Sequence, residues 1–302
     1  GDHRDLHSFP TRRSSDLALV FSSGYMANLG LVTALSGRGA LVVSDAGSHA
    51  SLVDACRLSR ARVVVTPRGD VDAVAEALSS RIEQRAVVLT DSVYSADGTL
   101  APVAALHGVA REHGAVLVVD EAHGLGVRGS GGRGFVHELG LAGQEDLVVT
   151  ATLSKALGAQ GGVVFGSPRV RAHLVDTARS FIFDTALAPP MVGAARAALG
   201  IVEREPDRAA RVLGVAKQLA EATGAIEPES AVVSVILGDP ERAVAARDAA
   251  RERGLEVGCF RPPSVPAGTS RLRLTARADL SDADVSRAEA ILRDVVEEFS
   301  HL

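Results

Sequence analysis

The sequence contains very little lysine: only Lys155 and Lys217 occur among its 32 basic residues. Arginine supplies the positive charge elsewhere, and a guanidinium stays protonated, so it cannot act as a nucleophile. A lysine amine can lose its proton and condense with an aldehyde. Lys217 lies in an alanine-rich amphipathic stretch typical of a solvated helix, whereas Lys155 lies between two β-branched runs. Lys155 is therefore either an incidental surface residue or a reactive amine.

Other shortages each exclude a class of protein. The two cysteines, Cys56 and Cys259, are far apart, which leaves no disulfide framework and no metal-ligand spacing and indicates a reducing cytoplasm. A net charge of −5 with scattered arginines argues against nucleic acid as a partner. No apolar run reaches the ~18 residues that span a bilayer, and there is no signal-peptide pattern. We therefore expect a cytoplasmic protein with no metal and no membrane partner.

The first 17 residues differ from the rest of the chain. The string GDHRDLHSFPTRRSSDL has no apolar periodicity and resembles the translation of a sequencing adaptor. We expect residues 1–17 to be a non-native leader, irregular and exposed. We also expect the native sequence to begin near Ala18, inside a longer protein, and the loss of the preceding segment to lower activity.

From Ala18 onward, short β-branched runs alternate with helical patterns. These runs cover residues 41–45, 62–67, 86–92, 115–122, 146–152 and 161–166. They are continuously apolar, which is typical of strands buried on both faces of a parallel sheet. Helical patterns lie near residues 26–37, 49–58, 70–82 and 102–113. The alternation predicts an α/β fold with a mostly parallel sheet, helices on both faces and ligands at the carboxyl ends of the strands.

The pattern changes after about residue 186. Two long helical stretches come first, at 188–204 and 206–223. The run AVVSVILG, a helix at 240–253, the loop RPPSVPAGTS, the strand RLRLT and a last helix from Ser281 follow. The sequence therefore predicts a large domain with a connecting helix over residues 18–204 and a smaller α+β domain over residues 205–302.

Two candidate residues follow the most apolar predicted strand. Asp120 ends the run AVLVVD, so its carboxylate belongs to the ligand-binding edge of the sheet. His123 follows three residues later and is within reach of the same ligand. An aspartate at a strand–helix junction can equally cap a helix. His49 follows another strand end, where a histidine is either a ligand contact or structural.

An anion site and a carboxylate site are also indicated. Residues 22–26, SSGYM, open a helix with hydroxyls and a glycine, which suits an anion at a helix N terminus. Thr152 stands near Lys155 and could donate its hydroxyl to the same anion. Arg273 alternates with leucines on a strand, where it is either an exposed edge residue or a bidentate carboxylate ligand. An amine, a carboxylate, an anion site and an aromatic ring together meet the needs of pyridoxal 5′-phosphate (PLP).

Three motifs resemble those of the α-oxoamine synthases, which are PLP-dependent transferases of fold type I (the aminotransferase class I/II fold). They are VVDEAHGLGVRGSGGRG, TATLSKALGAQGG and RPPSVPAGTSRLRLT. The resemblance runs from about Ala18 to the C terminus, and the third motif is similar to that of the biotin-pathway branch. It implies an acyltransferase that condenses L-alanine with pimeloyl-CoA or a pimeloyl carrier protein and releases CO2. It also implies a homodimer with active sites at the interface.

The resemblance assigns the chemistry to individual residues. Lys155 would hold PLP as a Schiff base and move the proton at the amino-acid α-carbon. Asp120 would keep the ring nitrogen protonated, and His49 would stack on the ring. The other PLP contacts would come from Gly24, Tyr25 and Thr152 at the phosphate, Ser95 and His123 at the ring hydroxyl, and Thr185 from the other subunit. Arg273 would bind the carboxylate of the amino acid.

Two alternatives remain open on the sequence alone. The first is another α-oxoamine synthase that joins glycine or serine to a different acyl-CoA. The second is an inactive, truncated scaffold that keeps the fold and has lost the chemistry.

Overall fold

The computed structural model describes residues 17–300. It divides into two compact units. The first holds the chain up to Tyr94 together with Ala101–Pro206, and the second holds Ser95–Leu100 together with the chain from Asp207. The predicted boundary after residue 204 thus lies two residues earlier than the observed one, and the sequence contains no signal for the transfer of Ser95–Leu100 to the second unit.

A seven-stranded sheet forms the centre of the first unit. Its strands are β1 Leu17–Phe21, β2 Ala40–Asp45, β3 Arg62–Thr66, β4 Arg85–Asp91, β5 Val116–Asp120, β6 Leu147–Thr152 and β7 Gly162–Gly166. The strand order is β1-β7-β6-β5-β4-β2-β3. The five strands β2, β3, β4, β5 and β6 are parallel, and β7 is antiparallel to both of its neighbours. The mostly parallel α/β sheet predicted from the continuous apolar runs is confirmed.

Two features of this sheet differ from the sequence-based expectation. Leu17, the last residue of the predicted leader, already pairs with Gly166 in β1, while residues 1–16 lie outside the described part of the chain. Strand β3 is not buried on both faces, because it is the edge strand and leaves Val65 64% exposed. A continuous apolar run predicts a strand, but it cannot tell a central strand from an edge strand.

In the described part of the first unit, five helices lie between successive strands and three more follow β7. They are α1 Gly24–Leu35, α2 Ala50–Ser59, α3 Val71–Ser79, α4 Val103–Glu112, α5 Phe135–Glu138, α6 Pro168–Thr177, α7 Arg179–Ile182 and α8 Pro189–Arg204. Local capping explains several of their starts. The Ser23 hydroxyl accepts from the Met26 amide at 3.1 Å, and the Asp70 carboxylate accepts from the Ala73 amide at 2.9 Å.

The core of this unit lies between α1, α2 and the sheet. Leu31 of α1 and Leu52 of α2 are fully buried, as are the strand residues Val42, Leu89 and Val118. Burying each such side chain contributes about 1.5–3 kcal/mol. This packing fixes α1 against the strand ends that carry the polar residues of the site.

The second unit is an α+β structure with its own antiparallel sheet. Its strands are β8 Val232–Gly238, β9 Gly258–Phe260 and β10 Ser270–Thr275, in the order β8-β10-β9. Its helices are α9 Arg208–Thr223, α10 Pro240–Glu252 and α11 Asp282–Ser300. The segment Ser95–Leu100 also belongs to this unit, where the Leu100 amide donates to the Glu229 carboxylate at 3.1 Å. None of the helices in the described chain has the length and hydropathy of a membrane span.

Candidate active site

The parallel strands of the large sheet end at one edge, and each end carries a polar residue. Asp45, Asp91, Asp120 and Thr152 are the last residues of β2, β4, β5 and β6. All four side chains are buried. Asp91 and Asp120 are direct register partners on adjacent strands. Three carboxyl groups and one hydroxyl therefore lie together at the edge of the sheet that the sequence predicted to bind a ligand.

The Lys155 amine reaches this edge from the loop that follows β6. Its Nζ lies 2.8 Å from Nε2 of His123, which belongs to the turn after β5. The loop is closed at its base, since Leu153 donates to the Gly161 carbonyl and accepts from the Ala159 amide, both at 2.9 Å. Lys155 itself is exposed. The loop therefore presents an accessible amine in hydrogen-bond contact with an imidazole.

Asp120 is oriented by one donor at each carboxylate oxygen. Asn28 Nδ2 donates to Oδ2 at 2.7 Å, and the Ala122 amide donates to Oδ1 at 2.8 Å. Both donors stabilise the negative charge and leave each oxygen further acceptor capacity. The carboxylate that the sequence places at the strand end is thus buried, held in one orientation and able to accept another proton donor.

His49 stands at the start of α2, beside the same strand ends. Its Nδ1 lies 2.8 Å from the Ser51 hydroxyl, and its backbone amide donates to Asp91 Oδ2 at 2.8 Å. Partial desolvation of the imidazole lowers the pKa of His49, with the charge of Asp120 opposing this effect and that of Lys155 adding to it. The hydrogen bond to Asp91, the register partner of Asp120, places His49 beside these strand ends.

Asp91 behaves differently from its register partner. It is fully enclosed, and this burial, followed by the negative charge of Asp120, raises the pKa of Asp91 well above its usual range. Two adjacent carboxyl groups therefore have distinct environments: Asp120 receives two donors, while Asp91 receives the His49 amide.

The predicted anion site forms where α1 begins. Gly24 is the first residue of the helix, and a Cβ there would lie 3.1 Å from the Cβ of Thr152. The Thr152 hydroxyl lies 2.6 Å from that of Ser154. The first amides of a helix have no acceptor within it, so Gly24 and Tyr25 offer donors beside this pair of hydroxyls. Ser154 is a residue that the sequence reasoning missed.

The remaining predicted site residues lie in two other places. Thr185 is exposed, and its amide donates to its neighbour Asp184, whose carboxylate accepts from the Ser22 hydroxyl. Ser95 and Arg273 belong to the second unit, where Arg273 Nε donates to the Ser95 carbonyl at 2.8 Å. Burial lowers the pKa of Arg273. The pairing of these two residues had no signal in the sequence.

Several polar residues that shape the site were not singled out in the sequence. They are Asn28, Ser51, Asp91, Glu121 and Thr150. Asp91 carries the same signal as Asp120, a carboxylate at the end of an apolar run. Asn28 has a weaker one, a polar residue on the apolar face of a helix. Its hydrogen-bond partners lie 23, 92 and 122 residues away and have no local signature.

Glu121 supports the turn that carries His123. Its carboxylate accepts from the Ser92 hydroxyl at 2.9 Å and from the Val136 amide at 2.6 Å. Gly134 has a φ of +99°, and a Cβ there would lie 3.1 Å from Glu121 Oε1, so both the backbone conformation and the closeness of Glu121 favour glycine. Burial raises the pKa of Glu121 above the ordinary 4.5 of a glutamate.

A pH-dependent stability effect is expected from this carboxyl group. With its pKa raised in the folded state, Glu121 contributes stability that is complete below about pH 4.5 and decreases as the pH rises toward the folded-state pKa. Glu121→Gln keeps the shape without the charge. The free energy of unfolding of the variant is therefore expected to rise relative to that of the parent as the pH increases from about 4.5 to 7. Urea denaturation at several pH values measures this difference.

Two further variants make this test specific. Glu112 is exposed, and Glu112→Gln removes the same charge without any change in buried groups, so no such gain is expected. Glu121→Ala leaves the Val136 amide unpaired and removes one of two acceptors of the Ser92 hydroxyl, and it is expected to cost about 1–3 kcal/mol at every pH. A pH-independent difference between Glu121→Gln and the parent would contradict the burial of a proton-binding carboxyl group.

The first unit has the groups that PLP requires. The Lys155 amine suits an aldehyde, the Asp120 carboxylate suits a pyridinium nitrogen, and the start of α1 with Thr152 suits a phosphate. The close approach at Gly24, where a Cβ would crowd Thr152, leaves the backbone open to an anion. The residues present therefore fit the cofactor.

Comparison with known proteins agrees with this assignment. The model of the family "Aminotransferase class I and II" matches residues 8–292. An 8-amino-7-oxononanoate synthase of Mycolicibacterium smegmatis is 65% identical over 291 residues, which are 96% of this chain and 76% of that protein. The protein of the same name from Mycobacterium avium is 68% identical over 279 residues, 92% of this chain and 73% of that protein. The chain spans about three quarters of the length of these relatives.

Solved structures show the same architecture. A serine palmitoyltransferase from S. paucimobilis with PLP and myriocin bound has a TM-score of 0.91 at 31% identity, covering 100% of this chain and 78% of its own. An 8-amino-7-oxononanoate synthase from Francisella tularensis has a TM-score of 0.79 at 26% identity, covering 93% and 82%. The fold-type I architecture expected from the sequence motifs is confirmed.

Proposed function

The chain belongs to the aminotransferase class I and II family and, within it, to the 8-amino-7-oxononanoate synthases, and from this premise we propose that it condenses L-alanine with a pimeloyl thioester. The reaction releases CO2 and the thiol of the carrier, and it forms 8-amino-7-oxononanoate for biotin biosynthesis. One observation carries the proposal: the exposed Lys155 amine lies 2.8 Å from His123 at the strand edge that holds the Asp120 carboxylate. PLP, when bound, supplies an electron-accepting ring.

Lys155 is the proposed site of covalent cofactor attachment and the base that moves the α-proton of alanine. A base must exist in both protonation states during a turnover. The imidazole of His123 accommodates both, because its Nε2 can accept from an ammonium or donate to a neutral amine. His123 can therefore remain hydrogen-bonded to the Lys155 amine in both protonation states of that amine.

Asp120 is proposed to hold a proton on the ring nitrogen of the cofactor. Its two oxygens are oriented by the Asn28 amide and the Ala122 backbone amide, and its burial strengthens the interaction between its charge and a cationic partner. The adjacent His49 is proposed to lie against the ring face. At the phosphate end of the cofactor, the Gly24 and Tyr25 amides and the Thr152 hydroxyl are proposed to bind the phosphate.

The binding of the alanine carboxylate is proposed for Arg273. Arg273→Ala is expected to raise the KM for alanine about thirtyfold to a thousandfold, the loss expected for one desolvated bidentate contact of about 2–4 kcal/mol. The KM for the acyl thioester is expected to change little. Steady-state kinetics with each substrate varied in turn measure both values.

A nearby arginine provides the control for this experiment. Arg277 is exposed and pairs only at the surface with Asp279, so Arg277→Ala is expected to leave both KM values unchanged. Arg273→Lys keeps the charge without the planar fork and is expected to be intermediate. Equal weakening for both substrates in Arg273→Ala would contradict the assignment.

The homodimer and the cytoplasmic location are further parts of the proposal. Thr185 is proposed to contact the phosphate in the partner's site, and its exposure beside the exposed Phe183 supports such a role. Free Cys56 and Cys259 support a reducing compartment. Ser95 and His123 are proposed to contact the ring hydroxyl of the cofactor.

The substrate assignment is tested by a direct assay. The chain, loaded with PLP, is incubated with pimeloyl-CoA and alanine, glycine or serine, and the products are identified by mass spectrometry. Product from alanine above that from the other two amino acids supports the proposal. Product only with glycine or serine, or product only when a different acyl-CoA replaces pimeloyl-CoA in a parallel reaction, would assign the chain to another α-oxoamine synthase. A chain that binds no PLP would be an inactive scaffold.

A further inference from the structure

Four side chains form an unbroken line of hydrogen bonds between His49 and Asp120. His49 Nδ1 lies 2.8 Å from Ser51 Oγ, Asn28 Nδ2 lies 2.8 Å from the same hydroxyl, and Asn28 Nδ2 lies 2.7 Å from Asp120 Oδ2. Asn28 is 1% exposed and Ser51 is fully buried. Hydrogen bonds in such a chain strengthen one another inside a protein, and the donor or acceptor role of each group limits the role of the next.

The carboxylate determines which way the Asn28 amide points. Asn28 Nδ2 faces Asp120 Oδ2, and Asn28 Oδ1 accepts from the Thr150 hydroxyl at 2.7 Å. The reversed amide would bring Oδ1 to 2.7 Å from a carboxylate oxygen, two acceptors in contact. Because an ionised carboxylate only accepts hydrogen bonds, this reversal is unfavourable. Both N–H groups of Asn28 are therefore used, one on Asp120 and one on Ser51.

The direction of these bonds then sets the proton of His49. Since the Ser51 hydroxyl accepts from Asn28, its own hydrogen is available for His49 Nδ1. The Ser51 backbone amide also points at Nδ1, at 3.3 Å. A nitrogen that faces two donors must present its lone pair. The proton of a neutral His49 therefore sits on Nε2, and protonation of Nδ1 would oppose two N–H or O–H donors.

We propose that Asn28 is a positioning residue that orients the Asp120 carboxylate and, through Ser51, fixes His49 as the neutral tautomer with its proton on Nε2. This inference builds on the proposed function, in which Asp120 and His49 face the cofactor ring. A neutral imidazole stacks on a ring without adding positive charge beside Asp120 and the Lys155 amine. One buried amide thus sets the orientation of one ring-facing group and the protonation state of another.

The tautomer can be measured without turnover. Histidine-selective ¹⁵N labelling and two-dimensional NMR of the full chain, with and without PLP, distinguish an unprotonated from a protonated ring nitrogen. His49→Gln identifies the His49 signals. We expect an unprotonated Nδ1 and a protonated Nε2 in the parent chain. We expect Ser51→Ala and Asn28→Ala to shift both nitrogens toward values averaged over the two tautomers.

The two variants separate the two halves of the proposal. Asn28→Ala removes a donor from Asp120 and is expected to weaken PLP binding about tenfold to a hundredfold, as for a hydrogen bond to a charged group. Ser51→Ala leaves the contact between Asn28 and Asp120 and is expected to weaken PLP binding less than threefold. Both variants are expected to lower kcat more than they raise the KM for alanine.

The experiment also has a matched control and results that would contradict the proposal. Thr33→Val lies on the same helix and removes a hydroxyl bonded only to that helix, so it reports the cost of perturbing α1 without changing the His49 signals. If Asn28→Ala does not fold, Ser51→Ala still tests the tautomer. A parent His49 protonated at Nδ1, or an unchanged tautomer in Ser51→Ala, would overturn the proposal. Failure of the alanine assay would count against the proposed function alone, because the tautomer is read without substrate.

Discussion

Lys155→Ala is expected to abolish turnover and to remove the visible absorbance of lysine-bound PLP. The amine is the group that can condense with the cofactor aldehyde, and no neighbouring residue replaces it, because the basic side chain in contact with it is the imidazole of His123. We expect kcat to fall by about 10³-fold or more, as for other nucleophile deletions. Absorbance spectra and borohydride reduction followed by peptide mapping measure the attachment.

Two further variants separate amine chemistry from charge. Lys155→Arg keeps a cation beside His123 but cannot form a Schiff base, so it is expected to be as inactive as the alanine variant. Lys217 lies on α9, exposed, and pairs weakly with Glu227 at 3.3 Å. Lys217→Ala is therefore expected to be nearly silent. A borohydride-reducible adduct that persists in Lys155→Ala would rule out this lysine as the attachment site.

Asp120→Asn is expected to lower kcat by about 10²–10⁴-fold while the fold is retained, in the range seen when a preorganised electrostatic contact is removed. A neutral amide would lack the charge that holds a proton on the ring nitrogen of a bound cofactor, so this residue would no longer support the electron-accepting chemistry that PLP supplies. The amide nitrogen would also face a donor, either Asn28 or the Ala122 amide. We therefore expect a modest loss of thermal stability as well, measured by calorimetry.

The register partner of Asp120 provides the control. Asp91 is buried at the end of the adjacent strand, and its raised pKa favours the neutral form. Asp91→Asn preserves an acceptor for the His49 amide and is expected to lower kcat far less than Asp120→Asn. Ordinary turnover in Asp120→Asn would mean that this carboxylate serves only to hold the turn through Ala122.

Much of the large unit was predictable because its strands are buried on both faces. The runs at 86–92, 115–122 and 146–152 correspond to the central strands β4, β5 and β6. Central strands that are covered on both faces are typically apolar along their whole length. Asp120 and Thr152 were predictable for the same reason: a polar residue that ends such a run lies at the carboxyl edge of the sheet. Lys155 was singled out by the scarcity of lysine, and the structure brings its amine to within 2.8 Å of His123, while its chemical role stays a prediction.

Other features depended on contacts between distant parts of the chain. The edge position of β3 and the pairing of Leu17 with Gly166 follow from strand order, which no single run encodes. Ser95–Leu100 lies in the second unit through contacts with residues far along the chain, such as the hydrogen bonds from Leu100 to Glu229 and from Arg273 to Ser95. Local patterns predict an element, but its neighbours are chosen by the packing of the whole unit.

The sequence by itself determined which chemical groups this protein has at the carboxyl edge of its large sheet: an amine, a carboxylate, an imidazole and a helix start. These follow from residue type and local periodicity, which are properties of short segments. The tertiary structure alone decided how these groups are oriented and protonated. Asn28 meets Asp120 and Thr150 across 92 and 122 residues, and burial at this meeting point makes each unpaired donor or acceptor costly. That cost, which exists only once the strands and α1 have packed, is what fixes the state of His49.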